Sequence, residues 1–153
     1  MIYWDKKVIR EQLDKRIAVL RDFDRSVAPQ QGWLKAIREA LGLSTAQLGK
    51  RAGLSQSRVS RLENAEKKGD LKLSSLQKMA KALNMKFVYG FVSEDTLESM
   101  VRGQARRIAL KRLEKLDNTM RLEKQSLTGD ERKRALKDMI EKILIDNPKG
   151  FWD

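Results

Sequence analysis

The sequence predicts an all-α fold carrying one short β-strand, and three observations predict it. Apolar residues recur at steps of three and four in almost every segment, which is the period of one buried helix face. Ser, Thr and Asp stand where those runs begin and Gly where several end, in the places of helix caps and stops. Only MKFVYGFV, residues 85–92, has the density of β-branched and aromatic residues that marks a strand. At 153 residues the chain has room for one compact domain, or for a small domain with helical extensions.

The elements follow in order. Ile9, Leu13, Ile17, Leu20 and Phe23 share one face of a helix expected over residues 5–26, a packing brace or one partner of a helix pair. Pro29 and Gly32 interrupt the chain. Trp33 to Leu41 repeats the helical period with Leu34, Ile37 and Leu41 inward, and Gly42 stops it. Ser44 and Gln47 form a capping box for a second helix, in which Leu48 and Ala52 face the core and Gly49 leaves room for a close crossing. Gly53 stands where a turn needs positive φ, Leu54 is a buried turn residue, and Ser55 caps a third helix with Val59 and Leu62 inward.

NAEKKGD, residues 64–70, reads as a polar loop, and Ser74 with Gln77 as a capping box for a helix through Leu76, Met79, Ala80 and Leu83. After the strand at 85–92, Glu94 and Asp95 favour a new helix start. Leu97, Met100, Val101, Ile108, Leu113, Leu116 and Met120 keep helical spacing, with Gly103 weakening the run without breaking it. Asp130 is expected to cap a last helix through Ala135, Leu136, Met139, Ile140, Ile143 and Leu144. The tail 147–153, with Phe151 and Trp152, is left docked or loose.

Composition removes several chemistries. Cys and His are absent, so zinc fingers, disulfides, thiol chemistry and imidazole acid-base work are excluded. There are no clustered carboxylates, no Gly-rich phosphate loop and no nucleophile beside a base, so neither an enzyme nor a cofactor or metal is expected. MIYWDKK leads into charge rather than an apolar h-region, and no run of about 18 apolar residues occurs; a cytoplasmic protein with no membrane contact is expected.

The net charge of +12 is unevenly distributed. Residues 29–92 carry 12 Lys/Arg against 4 Asp/Glu, while 1–28 carry 7 against 5 and 93–153 carry 14 against 12. The basic excess therefore falls on the stretch STAQLGKRAGLSQSRVSRLE, residues 44–63, whose paired short helices and glycine turn have the form of a helix-turn-helix DNA reader. Base readout needs paired donors and acceptors near the start of the second helix of such a unit. Gln56 suits adenine, Arg61 guanine, and Ser57 several groups; Ser57 and Arg61, four apart, share a face. Thr45, Ser55, Arg58 and Asn64 flank that face and suit phosphate oxygens, with Lys67 and Lys68 at longer range.

Residues 33–83, on the run LGLSTAQLGKRAGLSQSRVSRLEN, resemble the phage-repressor-like helix-turn-helix domain of the xenobiotic response element family. The resemblance implies base contacts at Gln56, Ser57 and Arg61 and phosphate contacts at Thr45, Ser55, Arg58 and Asn64. It also implies a structural ion pair between Arg38 and Glu63. Thr45 and Ala65 stand where many members have Gln and Gly, which puts a bridging Gln contact in doubt and implies a different loop after Glu63.

A lone strand leaves an unpaired edge, so residues 85–92 are expected to pair with their copy across a two-fold axis, as a DNA-reading homodimer requires. The chain then divides into an N-terminal amphipathic helix at 1–28, a repressor-like helix-turn-helix domain with its terminal strand at 29–92, and a C-terminal helical extension at 93–153.

A narrower resemblance, on GWLKAIREALGLSTAQL, FVYGFV and the stretch from LESMVRGQARRIA to LDNTMRLEKQ, is to the mobile mystery protein A family. These are regulators encoded beside a Fic-domain protein on mobile elements. It implies a transcriptional repressor of its own operon acting on double-stranded DNA, or an antitoxin that neutralises a Fic-domain toxin with DNA binding secondary. Fic inhibitors carry Ser or Thr, three residues, Glu, then Gly or Asn; Thr119 and Glu123 have the spacing, but Lys124 follows, and roughly one such spacing is expected by chance. Arg106, Arg107, Lys111, Arg112 and Lys115 form a basic helix face. It is left either as a contact for DNA or an acidic partner, or as a solvated face balanced by Glu98, Glu114 and Asp117.

Overall fold

The computed structural model describes residues 2–25 and 28–153. Their helices are α1 (Tyr3–Leu20), α2 (Trp33–Ala40), α3 (Thr45–Ala52), α4 (Gln56–Lys67), α5 (Leu73–Ala82), α6 (Leu97–Leu122) and α7 (Gly129–Asp146), with a 3-10 turn at Arg21–Arg25. The protein is all-α, and no strand occurs among the described residues. The helices form two units, one of Phe23–Gly90 and one that joins Met1–Asp22 to Phe91–Asp153.

In the first unit α2 to α5 enclose Leu34, Leu48, Ala52, Val59, Leu62, Met79 and Leu83, with Ile37, Leu43, Leu54, Leu71 and Leu76 against them. This is the expected core except for Leu41, which is 53% exposed because it follows the last turn of α2. Two boundaries also differ from expectation. The polar loop begins later, since α4 continues through Asn64, Ala65, Glu66 and Lys67. Ala at position 65, where Gly would break the helix, favours that continuation. α5 begins at Leu73 with Lys72 at its N-cap, so Ser74 already lies inside the helix and caps nothing.

The second unit packs α6 against α7 and lays α1 on both. Arg102 pairs with Glu141 at 2.9 Å and Asp117 with Arg132 at 3.2 Å, so α6 and α7 run antiparallel. Small residues Ala105 and Ala109 allow the close approach, and Ile143, Leu144 and Phe151 complete the core. Phe151 is docked, its carbonyl accepting a hydrogen bond from Gln104 Nε2, while Trp152 is exposed. Met100 and Leu116, which keep the helical spacing, are exposed.

The start of α6 is later than Glu94 and Asp95 imply. Thr96 is its N-cap, with Oγ1 accepting from Ser99 N at 3.0 Å. Likewise Thr128, not Asp130, caps α7: Thr128 Oγ1 accepts from Glu131 N at 3.3 Å, and the Glu131 carboxylate accepts from Thr128 N at 2.8 Å. That backbone hydrogen bond, joined by the one with the Thr128 side chain, holds the Glu131 carboxyl below its ordinary value.

α1 uses a different face from the one its apolar residues mark. Ile9 and Leu13 are exposed, whereas Tyr3, Arg10, Asp14 and Ile17 are half-buried. Polar contacts decide this. Arg10 Nε donates to Glu98 at 2.8 Å, and the Asp14 carboxylate accepts from Leu97 N at 2.7 Å, capping α6 from outside. The expected end of the first helix at Ser26 lies outside the described residues.

Residues 85–92, expected as a strand, make no ladder. Met85 N closes the end of α5 by donating to Ala80 O at 2.8 Å, and residues 86–95 make no backbone–backbone hydrogen bond with other described residues. A strand exists only as one of a pair, and no second edge occurs among the described residues. Phe87 and Tyr89 stack at 5.9 Å, while Val88, Tyr89 and Phe91 are exposed.

Candidate nucleic-acid interface

The turn between α3 and α4 is set by two glycines. Gly53 takes φ 67°, ψ 36° at the C-cap of α3, a left-handed conformation that a Cβ disfavours. At Gly49 the constraint is space: a Cβ there would stand 2.6 Å from the Leu54 carbonyl oxygen and 3.4 Å from Val59 Cγ2. The chain can therefore reverse tightly against α3. Ser44 with Gln47 closes the start of α3, Ser44 Oγ accepting from Gln47 N at 3.1 Å and Gln47 Oε1 from Ser44 N at 2.8 Å. Ser55 Oγ closes the start of α4 by accepting from Arg58 N at 3.2 Å.

α4 is held against α2 by two carboxylates. Arg38 Nε and Nη2 donate to Glu63 at 2.6 and 3.1 Å, and Arg38 Nη1 donates to Leu43 O at 2.9 Å. Both side chains are buried, so this fork is fixed in geometry and costly to leave half-made. The hydrogen bond to Glu63 raises Arg38 above the ordinary guanidinium value, against burial, which acts the other way. One turn further on, Glu66 accepts from Trp33 N at 2.9 Å and Leu34 N at 2.8 Å, satisfying the free donors that begin α2. Glu66 was not marked by any spacing in the sequence. Its partner lies more than thirty residues earlier.

With Val59, Leu62 and Glu63 buried, the opposite side of α4 is free. At about 100° per residue, Ser57, Arg61 and Asn64 lie within roughly 60° of one another, with Lys68 continuing the row at the C-cap. All four are exposed. Gln56 is exposed on the first turn but stands off this row, and Arg58 and Lys67 flank it on opposite sides. Ser57 Oγ lies 3.1 Å from Ser55 Oγ, so these two hydroxyls are coupled. Thr45 is half-buried as the first residue of α3. Among the described residues, Arg58, Arg61, Lys67 and Lys68 join no ion pair, which leaves their charge available to an incoming anion.

Thr119 and Glu123 lie elsewhere, at the end of α6. Thr119 Oγ1 donates to Lys115 O at 3.0 Å, Glu123 is the C-cap residue, and Lys124 takes φ 56°. Among the described residues no cluster of three metal-ligating side chains occurs, and no helix is long and apolar enough to cross a membrane.

The helix-turn-helix family matches residues 34–90, which carry α2 to α5 and a little over a third of the chain. This segment is a helix-turn-helix DNA-binding domain, of the kind found in phage-repressor-like regulators. No curated protein and no solved structure gives a significant match to the chain.

Proposed function

We propose that the protein is a sequence-specific transcriptional regulator that represses its own operon, carried on a mobile element, and works in the cytoplasm as a homodimer. The observation that carries this reading is the row Ser57, Arg61, Asn64 and Lys68, exposed on α4 while Arg38, Glu63 and Glu66 hold that helix from behind. In this reading Gln56, Ser57 and Arg61 read base edges. Thr45, Ser55, Arg58, Asn64, Lys67 and Lys68 take phosphates, and the start of α3 adds its free backbone donors. Two copies meet through residues 85–92, whose exposed Val88, Tyr89 and Phe91 and unpaired backbone offer an edge to a second chain.

A titration of the full chain against its own upstream DNA and a scrambled duplex of equal length, over a salt series, tests the reading. Tighter binding to the upstream duplex at every salt concentration is expected. Equal affinity for both would remove the claim of specificity, and a monomer in the complex would remove the claim of pairing.

The second reading is an antitoxin for a Fic-domain toxin. It is favoured by Thr119 and Glu123, both exposed at the end of α6, and by Lys124 in the left-handed region, a conformation that Gly or Asn adopts readily. Co-purification with a Fic-domain protein encoded beside it is expected on this reading. A neighbour of another kind, with nothing co-purifying, would end it.

A further inference from the structure

We propose that the side of α6 bearing Arg107, Lys111 and Lys115, with Arg106 and Arg112 at its two edges, is a second phosphate-binding surface, which adds sequence-independent contacts to duplex DNA. The inference rests on the DNA-binding reading above. It is carried by where the neighbouring acids are spent. Glu98 is engaged by Arg10 at 2.8 Å and by Arg102 at 3.2 Å, and Asp117 by Arg132 at 3.2 Å. Only Glu114 then remains within the run 106–115. None of the five cations joins an ion pair among the described residues, and all five are exposed.

The geometry suits a repeating anion. Ala105, Ala109 and Leu113 are the buried side of this stretch, so the cations occupy what is left free. Arg107, Lys111 and Lys115, each four residues apart, form a row rising about 6 Å per step. Five unpaired cations on so short a segment repel one another, and a polyanion relieves that repulsion while releasing its own counterions.

The side chains also separate DNA from an acidic protein surface. The exposed large apolar residues of α6 are Met100, Leu116 and Leu122, all outside the 106–115 run. A protein interface has a desolvated apolar centre with charge at its rim, whereas phosphate contacts need no such centre. The guanidinium fork of Arg107 adds to the row a geometry matched to phosphate oxygens.

The test uses the full chain with Arg107→Gln, Lys111→Gln and Lys115→Gln combined. Fluorescence anisotropy follows its binding to an upstream duplex of roughly four helical turns and to a scrambled one, between about 50 and 200 mM salt. Loss of three phosphate contacts should make the slope of log K against log salt shallower by about 2.7, a difference of about 40-fold over that range. The preference for the upstream duplex should be kept. An unchanged slope overturns the proposal, as does a variant that binds DNA normally but loses binding to polyglutamate, which would assign the face to an acidic protein. Should the triple variant unfold, Lys111→Gln and Lys115→Gln alone, each expected to lower the slope by about 0.9, decide the matter. Failure of the α4 reading looks different: the wild-type chain would bind both duplexes equally, while the slope still reported on α6.

Discussion

Replacing Glu63 by Ala removes one side of the fork that joins α2 to α4. Arg38 keeps its hydrogen bond to Leu43 O at 2.9 Å but loses contacts of 2.6 and 3.1 Å to the carboxylate, and at 8% exposure it cannot turn to water. A buried cation stripped of its partner costs about 3–5 kcal/mol. A unit the size of Phe23–Gly90 is stable by roughly 3–10 kcal/mol, so the substitution removes much of its margin. The double change Arg38→Met with Glu63→Leu removes both charges and keeps the volume. It should cost only about 1–2 kcal/mol, mainly for the Leu43 carbonyl that loses its donor. Trp33 is the natural reporter for this unit once Trp4 and Trp152 of the other are replaced by Phe, with urea unfolding of the full chain followed by fluorescence. A loss below about 1 kcal/mol for Glu63→Ala, or an equal loss for the single and double variants, would refute the buried fork as the tie that holds α4.

Further outcomes follow from the same geometry. Arg61→Ala should lower discrimination at one base by about 1–3 kcal/mol, whereas Arg58→Ala should weaken binding to all sequences alike, and the reverse pattern in a binding titration would mean that α4 is rotated from this reading. Gly49→Ala places a Cβ 2.6 Å from the Leu54 carbonyl oxygen, and backbone rather than a flexible side chain must give way; a loss of about 1–3 kcal/mol in thermal unfolding is expected. Because the Glu131 carboxyl is held below its ordinary value, its stabilisation of α7 is present above the unfolded carboxyl's pKa and is lost as pH falls through the folded one. Wild type and Glu131→Gln should accordingly differ in thermal midpoint near neutral pH and converge in acid.

The reading unit was legible in the sequence because its determinants are local. Caps at Ser44 and Ser55, the left-handed Gly53, the tight approach at Gly49 and the inward Leu48, Ala52, Val59 and Leu62 all lie within twenty residues. What stayed hidden acts at a distance. Glu66 reaches back to the start of α2 and Asp14 across to the start of α6, and no periodicity encodes either contact. The apolar period of α1 pointed to Ile9 and Leu13, yet the ionic contacts of Arg10 and Asp14 chose the packed face. At residues 85–92 composition favoured a strand, but β-propensity expresses pairing and burial more than any preference of the backbone alone. Ser74 and Asp130 failed as caps through register, because Lys72 and Thr128 already began those helices.

The cap that Asp14 places on α6 spans 83 residues of chain, so α1, made before the unit Phe23–Gly90, closes only after it. As the polypeptide leaves the ribosome at about 5–20 residues per second, α1 waits several seconds for α6 and α7, while the whole of Phe23–Gly90 emerges in between. The unit Phe23–Gly90 is therefore positioned to fold first, around short-range contacts, and the helices of the other unit afterwards, around long-range ones. A chain released before α6 would carry the unit Phe23–Gly90 whole and an α1 still without its partners.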